Sequence, residues 1–179
     1  MTVRPIIYSD DPVLRQKSRR IPRVTPEIEH LVDDMFETAD AAYGVGLAAV
    51  QVGVPWRVII ANIPGDLQDP DAGTAVALVN PELARASDEL EEGVEGCLSI
   101  PGWVGKVERH KSVVVKAMDM QGKKIRLRAE GYLARILQHE IDHLDGVLFI
   151  DKAAEVWPVK EGDEERVEAG FAAPANAMI

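Results

Sequence analysis

The chain has 179 residues, enough for one compact domain, and its hydrophobic fraction of 46% is sufficient to fill a core. A formal net charge of −10 without a long run of Lys or Arg argues against direct nucleic-acid binding, and no apolar run is long enough for a membrane span. The N-terminal sequence lacks a secretory-signal pattern, and the single cysteine, Cys97, excludes internal disulfides, so we expect a cytoplasmic protein.

The first predicted element is a helix over residues 26–43. Thr25 is suited to its N-cap, and Pro26 to the first helical position, where a missing N–H breaks no intrahelical hydrogen bond. Apolar residues recur at helical spacing along this segment and predict one buried face. Gly44 follows, and we expect it to end the helix in a left-handed conformation.

Two β-branched runs predict strands in the next part of the chain. Residues 57–63 lie between Pro55 and a Pro-Gly turn, which is typical of a strand bounded by turns. Residues 75–79 form the second run, and we expect Asn80-Pro81 to end it because proline cannot donate a hydrogen bond to a sheet.

The second half of the chain predicts a hairpin and then a second helix. Residues 112–120 and 124–128 flank a Gln-Gly turn, as expected for two antiparallel strands. Residues 130–144 return to helical spacing, and Asp145 and Gly146 fit the end of this helix.

The order of these elements predicts an α+β domain with mixed, largely antiparallel sheets packed around the second helix. We expect a single domain over residues 1–155. The sequence becomes acidic beyond Trp157 and then rich in alanine, so residues 156–179 are expected to form a C-terminal tail.

Residues 139–143 read His-Glu-Ile-Asp-His inside the second predicted helix. Histidines four positions apart lie on one helix face, so His139 and His143 can bind the same metal ion. Glu140 is close enough to accept a proton from a water held at that ion. Two chance histidines on a surface helix are the alternative, but their neighbours in sequence are largely apolar. Asp142 is a candidate acceptor for an imidazole N–H.

A catalytic site of this kind needs a third ligand. The metalloprotease pattern that supplies a third histidine fails, because Phe149 stands at its position. A downstream acid such as Glu155 is an alternative third ligand, as in another protease pattern. Cys97 is the remaining candidate, and the glycine and proline residues around it indicate an exposed turn; the alternative is a small buried side chain.

Three segments resemble motifs of the peptide deformylase family, in the order and approximate spacing of that family. They are Gly-Val-Gly-Leu-Ala-Ala-Val-Gln at residues 44–51, Glu-Gly-Cys-Leu-Ser at residues 95–99 and Gln-His-Glu-Ile-Asp-His at residues 138–143. The resemblance covers residues 5–151. It implies a metal-dependent hydrolase that removes the N-formyl group from the formyl-methionine of newly made polypeptides and releases formate.

The resemblance also implies roles for individual residues. The metal ligands would be Cys97, His139 and His143. The general base would be Glu140. The Gln51 side chain and the backbone N–H of Leu98 would stabilise the developing oxyanion.

Substrate binding involves five further residues by the same resemblance: Val45, Gly46, Gly96, Tyr132 and Ile136. The backbone of Val45, Gly46 and Gly96 would pair with an extended peptide. The side chains of Val45, Tyr132 and Ile136 would form a pocket for methionine, although ordinary core packing accounts for them equally well.

Members of the family usually bind Fe(II), and Zn(II), Ni(II) or Co(II) suit the same Cys and His ligands. The implied partner is an N-formylmethionyl nascent peptide, together with transient proximity to the ribosome. Docking through a basic C-terminal helix, as in some members, does not fit the acidic tail. Glu95 and Arg109 would form a supporting ion pair; the alternative is two separate surface charges.

One departure from the family pattern is Trp103-Val104, where many members carry an arginine near the peptide groove, so substrate affinity is expected to differ. Two rival functions are a degenerate homologue that serves as a metal-binding or interaction protein, and a zinc endoprotease. The presence of Glu140 and Gln51 argues against the first. The missing downstream ligand argues against the second.

Overall fold

The computed structural model describes residues 2–65 and 72–159. Within these residues, the α-helices are α1 (Pro26–Ala41) and α2 (Gly131–Leu144). The strands are β1 (Gly46–Ala48), β2 (Val58–Asn62), β3 (Ala75–Ala86), β4 (Leu90–Cys97), β5 (Ile100–His110), β6 (Ser112–Met118), β7 (Lys124–Glu130) and β8 (Glu155–Pro158). Short 3₁₀ turns lie at Pro12–Arg15, Ala49–Val52 and Phe149–Asp151.

The strands form two sheets. The first has five strands in the order β1-β2-β3-β6-β7, and the second has three in the order β4-β5-β8. All paired strands are antiparallel, and the parallel pairing described is an isolated bridge between Arg19 and Trp56. The predicted α+β class with largely antiparallel sheets is therefore confirmed.

Helix α2 is central because its apolar side chains pack against both sheets. Strand β2 shows how the five-stranded sheet separates two cores. Ile59 and Ala61 belong to the cluster around α2, whereas Val58 and Ile60 belong to the cluster around α1 on the other face. Each fully buried isoleucine contributes about 1.5–3 kcal/mol relative to an exposed one, so both faces of β2 stabilise the fold.

The end of α1 differs from the prediction. The helix ends at Ala41, and Tyr43, not Gly44, takes the left-handed conformation with φ of 55°. The Gly44 N–H donates to the carbonyl of Ala39 at 2.7 Å, which closes the helix terminus. Gly44 leaves room for Leu98, because a Cβ there would lie 2.6 Å from Leu98 Cδ1 and would force that side chain to shift.

Strand β3 does not stop at Asn80-Pro81 as predicted but continues to Ala86 through an irregularity between Val79 and Glu82. Asn80 has φ of 53°, and its side chain bonds to the backbone of Ile21, accepting from the N–H at 2.9 Å and donating to the carbonyl at 2.6 Å. A bulge accommodates a proline without loss of a sheet hydrogen bond, which is why the strand survives.

The hairpin of β6 and β7 confirms the sequence prediction, whereas β4 and β5 had no predicted counterpart. Strand β8 pairs with β5, so regular structure continues three residues beyond position 155, the predicted end of the domain. Residues 160–179, most of the predicted tail, lie outside the described residues. Neither of the two described α-helices has the length and hydropathy of a membrane span.

Candidate metal centre

Helix α2 presents both histidines of the His-Glu-Ile-Asp-His segment toward the interior. His139, Glu140 and His143 are all buried, because α2 lies between the two sheets. The helix ends at a turn in which Gly146 has φ of 77° and a Cβ would lie 2.5 Å from the carbonyl oxygen of Arg15. This glycine therefore meets both a conformational and a spatial requirement.

Cys97 is the last residue of β4, and the two residues after it turn the chain into β5. Its Sγ lies 3.2 Å from His143 Nε2. One ligand atom from each of Cys97, His139 and His143 lies within 4.8 Å of the others. The predicted exposed turn is wrong in one respect: Cys97 is half-buried and Ser99 is completely buried.

The donor set fits a divalent transition metal ion. A thiolate and two imidazoles suit Fe(II), Zn(II), Ni(II) or Co(II), and three protein ligands leave a position for water or substrate. The Nε2 atom of His143 faces Cys97. The Nδ1 atom of the same ring is buried and has no hydrogen-bond partner in the described part of the chain. The three residues therefore meet the chemical requirements of the metal site predicted from the sequence.

Gln51 lies beside this cluster in the 3₁₀ turn Ala49–Val52. The backbone N–H of Ala48 donates to Gln51 Oε1 at 2.8 Å, which fixes the orientation of the side-chain amide. The Gln51 Nε2 then donates to Ser99 Oγ at 3.1 Å and lies 3.6 Å from Cys97 Sγ. The amide donor thus points to the cysteine side of the centre.

The Glu140 carboxyl faces Gly46 of β1, where there is little room for a side chain. A Cβ on Gly46 would lie 2.5 Å from Glu140 Oε1 and 3.0 Å from Ile136 Cγ2. Glu140 Oε2 is buried without a hydrogen-bond partner among the described residues. Burial raises the pKa of Glu140 to about 7, with the nearby His139 opposing this shift. A carboxyl in this environment is suited to exchange a proton near neutral pH.

A second buried carboxylate, Glu95 on β4, orients His139. Arg109 donates to both carboxylate oxygens at 2.8 Å, and His139 Nδ1–H donates to Oε2 at 2.9 Å, which makes Nε2 the candidate metal-binding atom. Burial alone would raise the pKa of Glu95, but hydrogen bonds from Arg109 and His139 hold it well below its usual range. The predicted ion pair of Glu95 and Arg109 is present, and it is buried.

In the described part of the chain, the donors found for Asp142 are cationic side chains and not the imidazole that the sequence suggested. Its carboxylate binds Arg109 Nη1 at 2.5 Å and Lys152 Nζ at 2.7 Å. Glu95 takes the predicted role toward His139 because β4, which sequence periodicity did not reveal, passes beside this face of α2.

Beside the candidate metal ligands lies a cavity of about 550 Å³. The predicted substrate residues Val45, Gly46 and Gly96 line it, together with Gln51, Leu98 and Glu140. Ile136 and Tyr132 are not among the described lining residues: Ile136 is fully buried in the core, and Tyr132 packs against the same core. Tyr8 and Trp103 lie at exposed positions of the lining, and the sequence did not indicate Tyr8.

This fold and donor set define a metal-dependent hydrolase, with a cysteine and two histidines beside a buried carboxyl and an open cavity. A family model described as polypeptide deformylase matches residues 3–157. The chain belongs to the polypeptide deformylase family. The predicted activity, removal of the N-formyl group from new polypeptides, is thereby confirmed.

Named relatives agree with this assignment. The chain is 47% identical to a peptide deformylase of Thermomicrobium roseum over 94% of this chain and 98% of the relative. It is 46% identical to the enzyme of Agrobacterium fabrum over 84% of this chain and 87% of that relative. A crystal structure of the Ehrlichia chaffeensis enzyme in complex with actinonin superposes with a TM-score of 0.81 at 37% identity, covering 94% of this chain and 95% of that chain.

Proposed function

We propose that Cys97, His139 and His143 hold one divalent metal ion, Fe(II) in the cell, and that the adjacent cavity receives the formylated N-terminus of a nascent polypeptide. The observation that carries this proposal is the convergence of the three ligand atoms within 4.8 Å, with Cys97 and His139 in the cavity wall. A bound ion would act as a Lewis acid that polarises the formyl oxygen and lowers the pKa of water.

Glu140 is the proposed proton carrier of the reaction. Its carboxylate removes a proton from the water that attacks the formyl carbon. The same carboxyl then gives this proton to the departing amine nitrogen, so the formyl C–N bond breaks and formate and a free N-terminus are released. Its buried position, its unpartnered Oε2 and a pKa raised to about 7 support both steps.

Gln51 and Leu98 are the proposed donors to the developing oxyanion. The Gln51 amide is held by the Ala48 N–H, so its Nε2 is already oriented before substrate enters. Leu98 follows Cys97 directly, and both line the cavity. Preoriented donors of this type each contribute about 2.7–4 kcal/mol to transition-state stabilisation.

The peptide backbone is proposed to bind along Val45, Gly46 and Gly96 in an extended conformation. These residues line the cavity, and Gly46 and Gly96 belong to β1 and β4, which approach it from different sheets. Strand-like pairing accepts varied sequences, as an enzyme that acts on many nascent chains requires. Tyr132 and Ile136 are proposed to support this part of the cavity wall from the core.

The metal assignment is tested by the metal content of four purified variants. We expect Cys97→Ser, His139→Ala and His143→Ala to lose most of the bound metal. His30→Ala, on the exposed face of α1, should keep it and serves as the control. Stoichiometric metal in all three ligand variants would contradict the proposed site.

The substrate implies that the protein works in the cytoplasm with transient proximity to ribosomes. Direct nucleic-acid binding is not part of this proposal, in keeping with the net charge of −10. Sedimentation with translating ribosomes should be weak and should disappear when nascent chains are released by puromycin. Stable sedimentation with empty ribosomes would instead indicate a dedicated ribosomal contact.

A further inference from the structure

Arg135 lies on α2 one helical turn before His139, and its guanidinium is buried. Its Nη1 donates to Glu95 Oε1 at 3.0 Å and to the carbonyl of Val107 at 3.0 Å. Its Nη2 donates to the carbonyl of Glu91 at 2.8 Å. One side chain therefore joins α2 to both β4 and β5.

The hydrogen-bonding capacity of Glu95 is fully used. A carboxylate offers about four lone-pair positions, and Glu95 accepts two bonds from Arg109, one from Arg135 and one from His139. Loss of Arg135 would leave Oε1 with a single donor in a fully buried environment, which is unfavourable. Because Oε2 of the same carboxylate holds the His139 ring, any rotation of Glu95 also turns the ring.

Gly93 provides the space that Arg135 occupies. A Cβ on Gly93 would lie 2.6 Å from Arg135 Cζ and 2.7 Å from Nη2. Gly93 and Glu95 are two positions apart on β4, so they face the same side of the strand. Any side chain at position 93 would therefore displace the guanidinium that supports Glu95.

The candidate ligands come from two separate elements, which makes their relative position important. Cys97 ends β4, whereas His139 and His143 lie on α2. Arg109 reaches from β5 to Asp142, three residues after His139. Arg135 lies four residues before His139, and its side chain extends from α2 to β4 and β5. The two arginines thus hold α2 against the β4–β5 hairpin on both sides of His139.

We propose that Arg135 is a positioning residue for the metal centre. It fixes Glu95, and through Glu95 it sets the orientation of His139 and the separation of α2 from the end of β4. Gly93 is the residue that admits it. This inference rests on the proposed role of His139 as a metal ligand, and it adds a residue that contacts neither metal nor substrate.

The test compares Arg135→Met, Arg135→Lys and Gly93→Ala with the control Arg126→Met, an exposed arginine on β7. Each protein is loaded with Co(II), and its visible spectrum, Co(II) affinity, kcat and KM for formyl-Met-Ala-Ser are measured. Arg135→Met should change the spectrum, weaken metal binding by about 10–100-fold and lower kcat more than it raises KM. Gly93→Ala should act in the same direction, Arg135→Lys should recover part of the loss, and Arg126→Met should match the wild type.

Wild-type spectra, affinities and kcat in Arg135→Met and Gly93→Ala, with only a lower Tm, would overturn the proposal and make Arg135 a purely structural residue. If Arg135→Met does not fold, Gly93→Ala decides the test, because this variant keeps Arg135 in the chain. The proposed ligand set is judged separately by His139→Ala. If that variant keeps wild-type metal affinity, the metal assignment fails; if it loses metal while the Arg135 variants behave as wild type, only the present inference fails.

Discussion

At the scale of single residues, the site depends on glycines at positions where an added side chain would displace a functional neighbour. A Cβ on Gly44 would meet Leu98, one on Gly46 would meet Glu140, and one on Gly93 would meet Arg135. In the sequence these glycines are typical of turns, and the spatial reason for each is visible only when its distant neighbour is known. Motif spacing identified Glu140, but it could not show that Gly46 limits where the Glu140 carboxylate lies.

Gly46→Ala should therefore impair catalysis without loss of metal. The added methyl group would push against Glu140 Oε1, and a displacement of about 1 Å can reduce turnover by about 100-fold. The check is kcat for formyl-Met-Ala-Ser together with metal content. Gly65→Ala is the control, because among the described residues a Cβ there meets only Gly73 Cα at 3.8 Å. An unchanged kcat in Gly46→Ala would mean that Glu140 has freedom to move.

Trp103 should contribute to substrate affinity more than to turnover. It is 46% exposed at the cavity, where an apolar side chain of the peptide can bury part of the indole. We expect Trp103→Ala to raise KM for formyl-Met-Ala-Phe by about 3–10-fold, with kcat nearly unchanged. Leu83→Ala, which removes another exposed apolar side chain away from the cavity, should leave both constants unchanged. Equal KM values for Trp103→Ala and wild type would exclude contact with the peptide.

At the scale of elements, periodicity was sufficient for some segments and not for others. Helix α2 and the β6–β7 hairpin follow their sequence patterns because local propensity and burial agree. Strand β4 was not predicted, since glutamates and two glycines interrupt any apolar alternation. Its residues instead contact partners that are distant in sequence. Gly93 makes room for Arg135, and the charge of Glu95 is neutralised by arginines from β5 and α2. Local patterns cannot reveal a strand whose composition is set by tertiary contacts.

Two glycines with nearly the same φ, one after the C-terminus of α2 and one in the β6–β7 turn, allow a matched comparison. Gly146 has φ of 77° and no space for a Cβ, whereas Gly122 in the β6–β7 turn has φ of 76° and no atom of the described residues within 4 Å of a Cβ. Gly122→Ala should lose about 1 kcal/mol of unfolding free energy from backbone strain alone. Gly146→Ala should lose clearly more, because the methyl group also meets the Arg15 carbonyl. Equal losses in urea unfolding would show that α2 can shift to relieve the contact.

At the scale of the whole molecule, the three candidate ligand residues join parts of the chain that are far apart in sequence. The sequence identified Cys97, His139 and His143 through their family motifs, and the fold brings their ligand atoms within 4.8 Å. The sequence could not supply the arrangement of the two sheets around α2, because strand order and bulges depend on long-range pairing. It also missed Arg135, whose only local signal is its position one turn before His139.

Metal binding should therefore stabilise the native state as a whole. A ligand at about 100 times its Kd adds about 2.7 kcal/mol to the unfolding free energy, and a domain of this size gains about 2–4 °C in Tm per kcal/mol. We expect Ni(II) to raise Tm by about 5–10 °C over protein treated with a chelator. Cys97→Ser should show little of this increase. A Tm that does not respond to metal in the wild type would mean that the site is not formed by these elements.

The most direct test of the proposed mechanism is formate release from formyl-Met-Ala-Ser by wild type and Glu140→Gln, with metal content measured on the same samples. We expect rapid release by the Fe(II) or Ni(II) wild type. In Glu140→Gln we expect a fall of about 10²–10⁴-fold at unchanged metal content, because the proton carrier is lost and the ligands remain. Near-normal release by fully metallated Glu140→Gln would mean that this buried carboxyl does not move the proton.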